Sequence, residues 1–131
     1  LNFLIEMMEK WQTSCTPNVL GIYLLMRVLE NSASITDVHD TIAGRYEDWC
    51  DFLSQTNLKH LVINKDVRSY TVVPVTTTPT LVQEIKVKAK KEGILLGEGY
   101  GTWKSTSFRI ANFPAIQPKE IDTLRRFLSR I

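Results

Sequence analysis

The stretch "SYTVVPVTTTPTLVQEIKVKAKKEG", residues 69–93, decides the fold class because its character changes part-way along. Its first nine residues are rich in β-branched side chains, which is typical of a strand. The remainder predicts a helix, with Pro79 near the start and Gly93 as the C-terminal stop. Pro74 has no amide hydrogen to donate, so it indicates that the strand lies at a sheet edge or contains a bulge.

The neighbouring segments continue this alternation of strands and helices. Residues 58–64 predict a strand before the stretch, and residues 94–99 and 107–113 predict two strands after it. Residues 117–131 predict a final amphipathic helix with Pro118 in its first turn. The order is therefore ββαββα behind leading helices. It predicts an α+β fold, in which helices cover a small, mostly antiparallel sheet.

Helices are predicted for most of the first 54 residues. Apolar residues at helical spacing predict one helix over 2–11 and another over 35–54. The helix between them, about 18–30, is apolar on nearly all sides, which predicts that it is buried. Thr16 is predicted to be its N-cap, with Pro17 in its first turn.

Length and composition limit the possible functions. A chain of 131 residues with 44% hydrophobic and 23% charged residues is typical of one soluble domain. A net charge of +2 is too small to indicate binding to nucleic acid or to a membrane surface. Cys15 and Cys50 indicate reduced thiols in a cytosolic protein, and His39 and His60 have no partners at metal-ligand spacing. The longest apolar run, 19–26, is too short to span a bilayer.

The segment "STSFRIANFP", residues 105–114, places an arginine in the middle of an apolar strand. A guanidinium among apolar side chains is costly unless it is paired. Arg109 presents a fixed two-pronged donor that matches a carboxylate. Its partner is either Glu98 on the neighbouring predicted strand or the carboxylate of a ligand, and the spacing alone does not choose between them.

Two further segments are candidates for anion binding. In "LGEGYGTWK", residues 96–104, the alternate glycines match no phosphate-loop motif. The segment is either a flexible turn between strands or a mobile loop that carries Lys104 next to Arg109 and folds over an anionic substrate. In "TSCTPN", residues 13–18, a threonine hydroxyl at the start of a helix can bind an anion, although plain helix capping explains it as well.

Four stretches together resemble a known family. They are "TPNVLGIYLLMRVLE" (16–30), "RSYTVVPV" (68–75), "GYGTWKSTSFRIANFP" (99–114) and "EIDTLRRFL" (120–128). In this order they resemble the C-terminal part of class V (fold type I) pyridoxal-phosphate aminotransferases, above all phosphoserine aminotransferases. The resemblance implies that residues 1–131 form one domain, the small domain of a longer homodimeric enzyme. Residues 1–17 would be a linking segment from its large domain.

The resemblance also implies roles for particular residues. Arg109 matches the arginine that binds the α-carboxylate of the substrate. Thr16 matches the threonine of a T-P motif that contacts the pyridoxal phosphate of the partner subunit. Cys15 stands where that motif usually has asparagine, and Thr13 could supply a hydroxyl instead. The family's Schiff-base lysine belongs to the large domain and no lysine here matches it, so this chain alone is expected to be inactive and to bind no cofactor.

The implied activity is the transfer of an amino group between an amino acid and a 2-oxo acid, with glutamate as donor, in the cytoplasm. Phosphoserine aminotransferases of serine biosynthesis carry a Gly-His-Arg segment that binds the substrate phosphate. Here only Lys104 supplies a cation in that loop, which leaves the amino acid open. A non-catalytic α+β module that binds an amino acid is the alternative. Within the family a serine–glyoxylate type enzyme also fits, whereas a desulfurase would need a cysteine elsewhere than Cys15 and Cys50.

Overall fold

A computed structural model describes residues 1–131, which divide into two compact units, Leu1–Ser34 and Ile35–Ile131. The first unit contains the helices α1 (Asn2–Glu9) and α2 (Val19–Asn31). The elements of the second unit are α3 (Ile35–Ser54), β1 (Lys59–His60), β2 (Val72–Thr76), α4 (Pro79–Lys91), β3 (Gly97–Glu98), β4 (Ser107–Ala111) and α5 (Pro118–Leu128). The predicted ββαββα order and the α+β fold class are confirmed.

Helix α2 begins close to the predicted residue 18, but its N-cap differs from the predicted one. Its N-cap is Asn18, whose side-chain oxygen accepts a hydrogen bond of 2.9 Å from the amide of Gly21. Gly21 is the third residue of the helix, the usual partner of a capping side chain. The prediction that Thr16 caps α2, with Pro17 in the first turn, is therefore wrong, because Asn18 supplies a better-placed acceptor.

The prediction that α2 is buried is also wrong. No residue of α1 or α2 is buried, and Leu25, midway along α2, is 59% exposed. Burial of a helix that is apolar all round needs packing surfaces on several sides. The first unit supplies only α1, which has eight residues. None of the five helices combines the length and apolarity that crossing a membrane requires.

The second unit is built around four antiparallel strands in the order β1-β2-β4-β3. In the central pair, Val73 lies opposite Ile110 and Val75 opposite Phe108, and all four side chains are at most 1% exposed. They form the sheet's contribution to a single core, and α3, α4 and α5 supply the rest. The helical contributors are Tyr46, Trp49, Leu53, Ile85, Ala89, Ile121, Phe127 and Leu128.

Pro74 lies in an interior strand, so the prediction of an edge strand or a bulge is wrong. Its register partner on β4 is Arg109, in a run of five consecutive pairs. Hydrogen bonds that flank this run join Thr71 to Asn112 and Thr77 to Thr106. Hydrogen-bonded pairs alternate with non-hydrogen-bonded pairs in an antiparallel ladder, so the Pro74–Arg109 pair is of the second kind. The missing amide hydrogen therefore costs nothing on the β4 side.

The proline does limit β1. The carbonyl of Pro74 accepts a hydrogen bond of 2.8 Å from the amide of Leu61, but Pro74 has no N–H to return. Strand β1 ends one residue earlier, at His60. The strand predicted over 58–64 is shortened to two residues for this reason.

The end of α4 likewise shortens β3. Gly93 has a φ of +75°, and the amide of Ile94 donates to the carbonyl of Ala89 at 2.8 Å, which closes the helix. Gly93 is thus the stop that the sequence predicted. Because the chain is still completing this turn at Ile94, pairing with β4 begins only at Gly97, and not at residue 94.

One buried amide ties the helical layer to the sheet. Asn112, which is fully buried, follows β4 and donates from Nδ2 to the carbonyls of Ile42 on α3 (3.1 Å) and Tyr70 (2.8 Å). Its backbone amide donates to Thr71 at 2.8 Å. Buried carbonyls need such donors because an unpaired one loses its hydration without replacement.

We expect Asn112→Ala to lower the free energy of unfolding by about 2 kcal/mol, because a buried carbonyl and a partly buried one lose the Asn112 donor. Urea unfolding of the 131-residue chain measures this. The control is Asn64→Ala, because the exposed Asn64 side chain only accepts one hydrogen bond, from Asp66 at 3.0 Å. That change should cost about 1 kcal/mol or less. Equal losses for the two variants would contradict the role of Asn112.

Candidate functional site

Arg109 lies on the face of β4 opposite to the core, and its guanidinium is held in place from two sides. The Nε atom donates a hydrogen bond of 2.7 Å to the backbone carbonyl of Glu98. The guanidinium carbon lies 4.2 Å from the centre of the Tyr100 ring, a distance typical of a cation–π contact. The two terminal nitrogens have no hydrogen-bond or ion-pair partner in the chain. Arg109 therefore presents an oriented pair of donors.

The carboxylate of Glu98 does not pair with Arg109. It accepts a hydrogen bond of 2.7 Å from the ammonium of Lys86, which is largely buried on α4. The Lys86 hydrogen bond lowers the pKa of the Glu98 carboxyl, and the positive charges of Lys86 and Lys104 act in the same direction. Of the two partners that the sequence left open for Arg109, the Glu98 side chain is thus excluded.

The close approach of β3 to Arg109 depends on a glycine. A Cβ atom on Gly97 would lie 3.1 Å from Cβ of Arg109 and 3.4 Å from its Nε. Real Cβ contacts are rarely that short, so a side chain at Gly97 would push the arginine out of position. From the sequence, Gly97 was assigned to the strand predicted over 94–99 and to the glycine-rich segment 96–104. Its position directly opposite an arginine depends on the register of β3 with β4, which the sequence does not show.

The loop between β3 and β4 is a hydrogen-bonded turn. The hydroxyl of Ser107 donates to the carbonyl of Trp103 at 2.6 Å, and Gly101 has a φ of +53°. A short 3₁₀ turn, Gly101–Trp103, is followed directly by Lys104, whose ammonium is exposed and has no ion pair. Arg109 is hydrogen-bonded to the Glu98 carbonyl, whereas Lys104 influences Glu98 only through its charge. Closure of the loop over a substrate stays a prediction.

A cleft of about 620 Å³ adjoins Arg109. Arg109 and Gly97 line part of it, together with the residues that precede β3, the edge of β4, the first turns of α5, Trp49 on α3 and Val72 on β2. Most of the wall is apolar. Clefts of several hundred cubic ångströms with few polar groups are typical of small-molecule sites.

The predicted cofactor-binding residues lie in the other unit. The Thr13 hydroxyl donates to the carbonyl of Cys15 at 2.7 Å, so its proton is already used. The Thr16 hydroxyl has no partner within the chain. In this conformation the Thr16 hydroxyl is therefore free to donate a hydrogen bond to a phosphate group, whereas the Thr13 hydroxyl is not. Both cysteines are free thiols.

The two histidines occupy different environments. His39 lies exposed on α3. His60 is half-buried in β1, where its Nδ1 accepts a hydrogen bond of 3.1 Å from the amide of Val62 and its Nε2 is buried without a partner. Burial lowers the pKa of His60, and the positive charge of Arg68 lowers it further. No group of three or more His, Cys, Asp or Glu side chains is arranged to hold a metal ion.

The fold is similar to that of a solved phosphoserine aminotransferase, SerC of Cytophaga hutchinsonii, with a TM-score of 0.74 and 26% sequence identity. The similarity covers 96% of this chain but 36% of that protein, so the chain spans about a third of the length of its structural neighbour. No protein-family profile and no curated protein matches the sequence. The chain therefore has the fold of part of an aminotransferase.

Substituting alanine at two glycines should have opposite effects. At Gly99 a methyl group would overlap with Oγ of Ser107 and lie 2.7 Å from the carbonyl of Trp103. We expect Gly99→Ala to destabilise the chain by about 1–3 kcal/mol, because the turn cannot absorb the added volume. At Gly44, within α3, a methyl group meets nothing within 4 Å, so Gly44→Ala should stabilise by up to about 1 kcal/mol. Thermal unfolding of both variants checks this, and equal shifts would contradict it.

The half-buried ring of His60 predicts a loss of stability in mild acid. Because the pKa of His60 is lower in the folded chain than in the unfolded chain, the unfolded chain takes up the proton first as pH falls. The stability that neutral His60 contributes is fully present above the pKa of the unfolded chain, about 6.5. It is lost as pH falls below that value, and the loss levels off once His60 is protonated in the folded chain as well. We expect urea unfolding between about pH 7.5 and about pH 5.5 to show a smaller decline for His60→Asn than for the wild type. Equal declines would refute this role.

Proposed function

We propose that this chain is the C-terminal small domain of a pyridoxal-phosphate-dependent aminotransferase of the phosphoserine aminotransferase type. The reaction is the transfer of an amino group between an amino acid and a 2-oxo acid. The observation that carries this proposal is Arg109, which is oriented by Glu98 and Tyr100 and has two unpaired terminal nitrogens. The fold shared with the solved phosphoserine aminotransferase supports it independently.

Arg109 binds the α-carboxylate of the substrate through its terminal nitrogens. Two parallel hydrogen bonds to a carboxylate fix the direction as well as the distance of the ligand. The bond from Nε to the Glu98 carbonyl and the contact with Tyr100 limit rotation of the guanidinium before a substrate arrives. Less orientational freedom is then lost on binding, which is how a positioning residue assists a reaction.

The chain's contribution to the cofactor is limited to the phosphate. Thr16, whose hydroxyl is unpaired, contacts the phosphate group of pyridoxal phosphate held by a partner subunit in a homodimer. Thr13 joins it only if its bond to Cys15 opens. When bound, pyridoxal phosphate supplies the electron sink that amino-group transfer requires. The lysine that binds the cofactor is assigned to the remainder of the enzyme, so the chain alone is inactive.

In this proposal glutamate donates the amino group, and the enzyme acts in the cytoplasm. If the substrate is phosphoserine, the enzyme belongs to serine biosynthesis. Lys104 is the cation of the β3–β4 loop that is available to a second anionic group of a substrate. The positive charge of Lys104 contributes to the lowered pKa of the Glu98 carboxyl, and the backbone carbonyl of the same residue accepts the hydrogen bond from Arg109.

In the full-length enzyme we expect Arg109→Leu to raise KM for both the amino acid and the 2-oxo acid. The loss in kcat/KM should be about 10²- to 10⁴-fold, because two hydrogen bonds to a charged group are removed. Steady-state kinetics in both directions measure this. Arg109→Lys keeps the charge but not the two-pronged geometry, so it should retain an intermediate activity. Kinetics that are unchanged in Arg109→Leu would rule out the role.

A further inference from the structure

One short segment, residues 98–100, holds the guanidinium of Arg109. The Nε atom donates a hydrogen bond of 2.7 Å to the carbonyl of Glu98, and the guanidinium carbon lies 4.2 Å from the centre of the Tyr100 ring. A displacement of this segment would move both contacts together. The orientation of Arg109 therefore depends on where residues 98–100 lie.

The segment has few backbone contacts of its own to fix its position. Strand β3 has two residues and pairs with β4 at two positions, Gly97 with Arg109 and Glu98 with Phe108. It is the last strand at one edge of the sheet, so no further strand supports its outer side. Gly97 and Gly99 flank Glu98 and add no side-chain packing, which weakens a strand. A contact from outside the sheet is therefore needed to hold β3.

The side chain of Glu98 supplies this contact, with helix α4. Its register partner Phe108 faces the core, so Glu98 projects toward the face that the helices cover. There its carboxylate accepts a hydrogen bond of 2.7 Å from the ammonium of Lys86. Arg109 approaches Glu98 from the opposite face, because its own register partner is Gly97. Glu98 thus joins α4 on one side to the guanidinium on the other.

Helix α4 is a firm support for this ion pair. Val82, Ile85 and Ala89 anchor the helix in the core, and each is at most 2% exposed. The side chain of Lys86, next to this stripe, is 19% exposed, so its stem is packed while its ammonium reaches the carboxylate. Salt screens a partly buried pair less than an exposed one. The position of a rigid helix is therefore passed on to a short edge strand.

We propose that Lys86 is a positioning residue for the carboxylate site of Arg109. It acts through its ion pair with Glu98, which keeps residues 98–100 where they orient the guanidinium. The inference rests on the proposed function, in which Arg109 binds the substrate carboxylate. If the ion pair is broken, Arg109 is oriented in only a fraction of the molecules, and the apparent affinity for the carboxylate falls in proportion to that fraction.

The test is Lys86→Met in the full-length enzyme, because methionine keeps an unbranched stem in the helix and removes the charge. We expect KM for the amino acid and for the 2-oxo acid to rise about three- to tenfold, a range typical of losing one hydrogen bond. The value of kcat should change by less than about twofold, since saturating substrate restores the oriented state. Glu98→Gln breaks the same pair without altering α4, so it should reproduce this result even if Lys86→Met fails to fold.

Two further variants of α4 are the controls. Lys88 also forms an ion pair, at 2.6 Å with Glu84, but both side chains are about half exposed and neither contacts β3. Lys88→Met should therefore leave both KM values unchanged. Lys86→Arg keeps a charged donor of similar reach, so it should restore most of the affinity that Lys86→Met loses.

A double variant shows whether Lys86 acts through Arg109. Added to Arg109→Leu, Lys86→Met should cause no further loss of kcat/KM, because the side chain that it positions is absent. An equal further loss in that background would overturn the inference. Unchanged KM values in both Lys86→Met and Glu98→Gln, or a loss confined to kcat or to thermal stability, would overturn it as well. The proposed function stands in each case if Arg109→Leu alone impairs catalysis, and it falls if the kinetics of Arg109→Leu are normal.

Discussion

The register between β2 and β4 is the constraint on which the rest of the second unit depends. Val73 with Ile110 and Val75 with Phe108 fill one face of the sheet, and a slip of one residue would turn these side chains outward. The same register places Arg109 on the opposite face. Core packing and site geometry are therefore two results of one pairing, and the arginine occupies its position because its neighbours in sequence are buried.

The sequence predicted the elements of the fold well because their signals are local. The change of character within residues 69–93, the stop at Gly93 and Pro118 in the first turn of α5 all concern adjacent residues, and each corresponds to an observed feature. The predictions that failed depend on contacts between residues far apart in the sequence. Pro74 was predicted to mark an edge strand or a bulge. Its harmless position opposite Arg109 depends on the alternation of hydrogen-bonded pairs with a strand more than thirty residues away in the sequence.

The candidate site shows the same division. That Arg109 needs a partner followed from its apolar neighbours in the sequence. The sequence does not show that the Glu98 carboxylate is unavailable as this partner. That carboxylate is paired with Lys86, which lies on α4, twelve residues earlier in the chain. Tyr100, which contacts the guanidinium, and Gly97, which leaves room for the arginine, were interpreted from the sequence only as parts of a glycine-rich segment and of the strand predicted over 94–99. The spacing of residues 97–101 gives no information about which of them faces β4.

In the function that we propose, Arg109 would perform only one of the two tasks of a substrate site. Its terminal nitrogens would bind a carboxylate, which every amino acid and every 2-oxo acid carries, so they could not discriminate among substrates. Discrimination has to come from the surface that meets the variable side chain. In the second unit the cleft that adjoins Arg109 is mostly apolar. Of its two acidic residues, Glu92 is paired with Arg130, whereas Glu120 accepts a backbone amide and keeps its charge. The cleft therefore carries charges of both signs, and its charge alone selects no substrate.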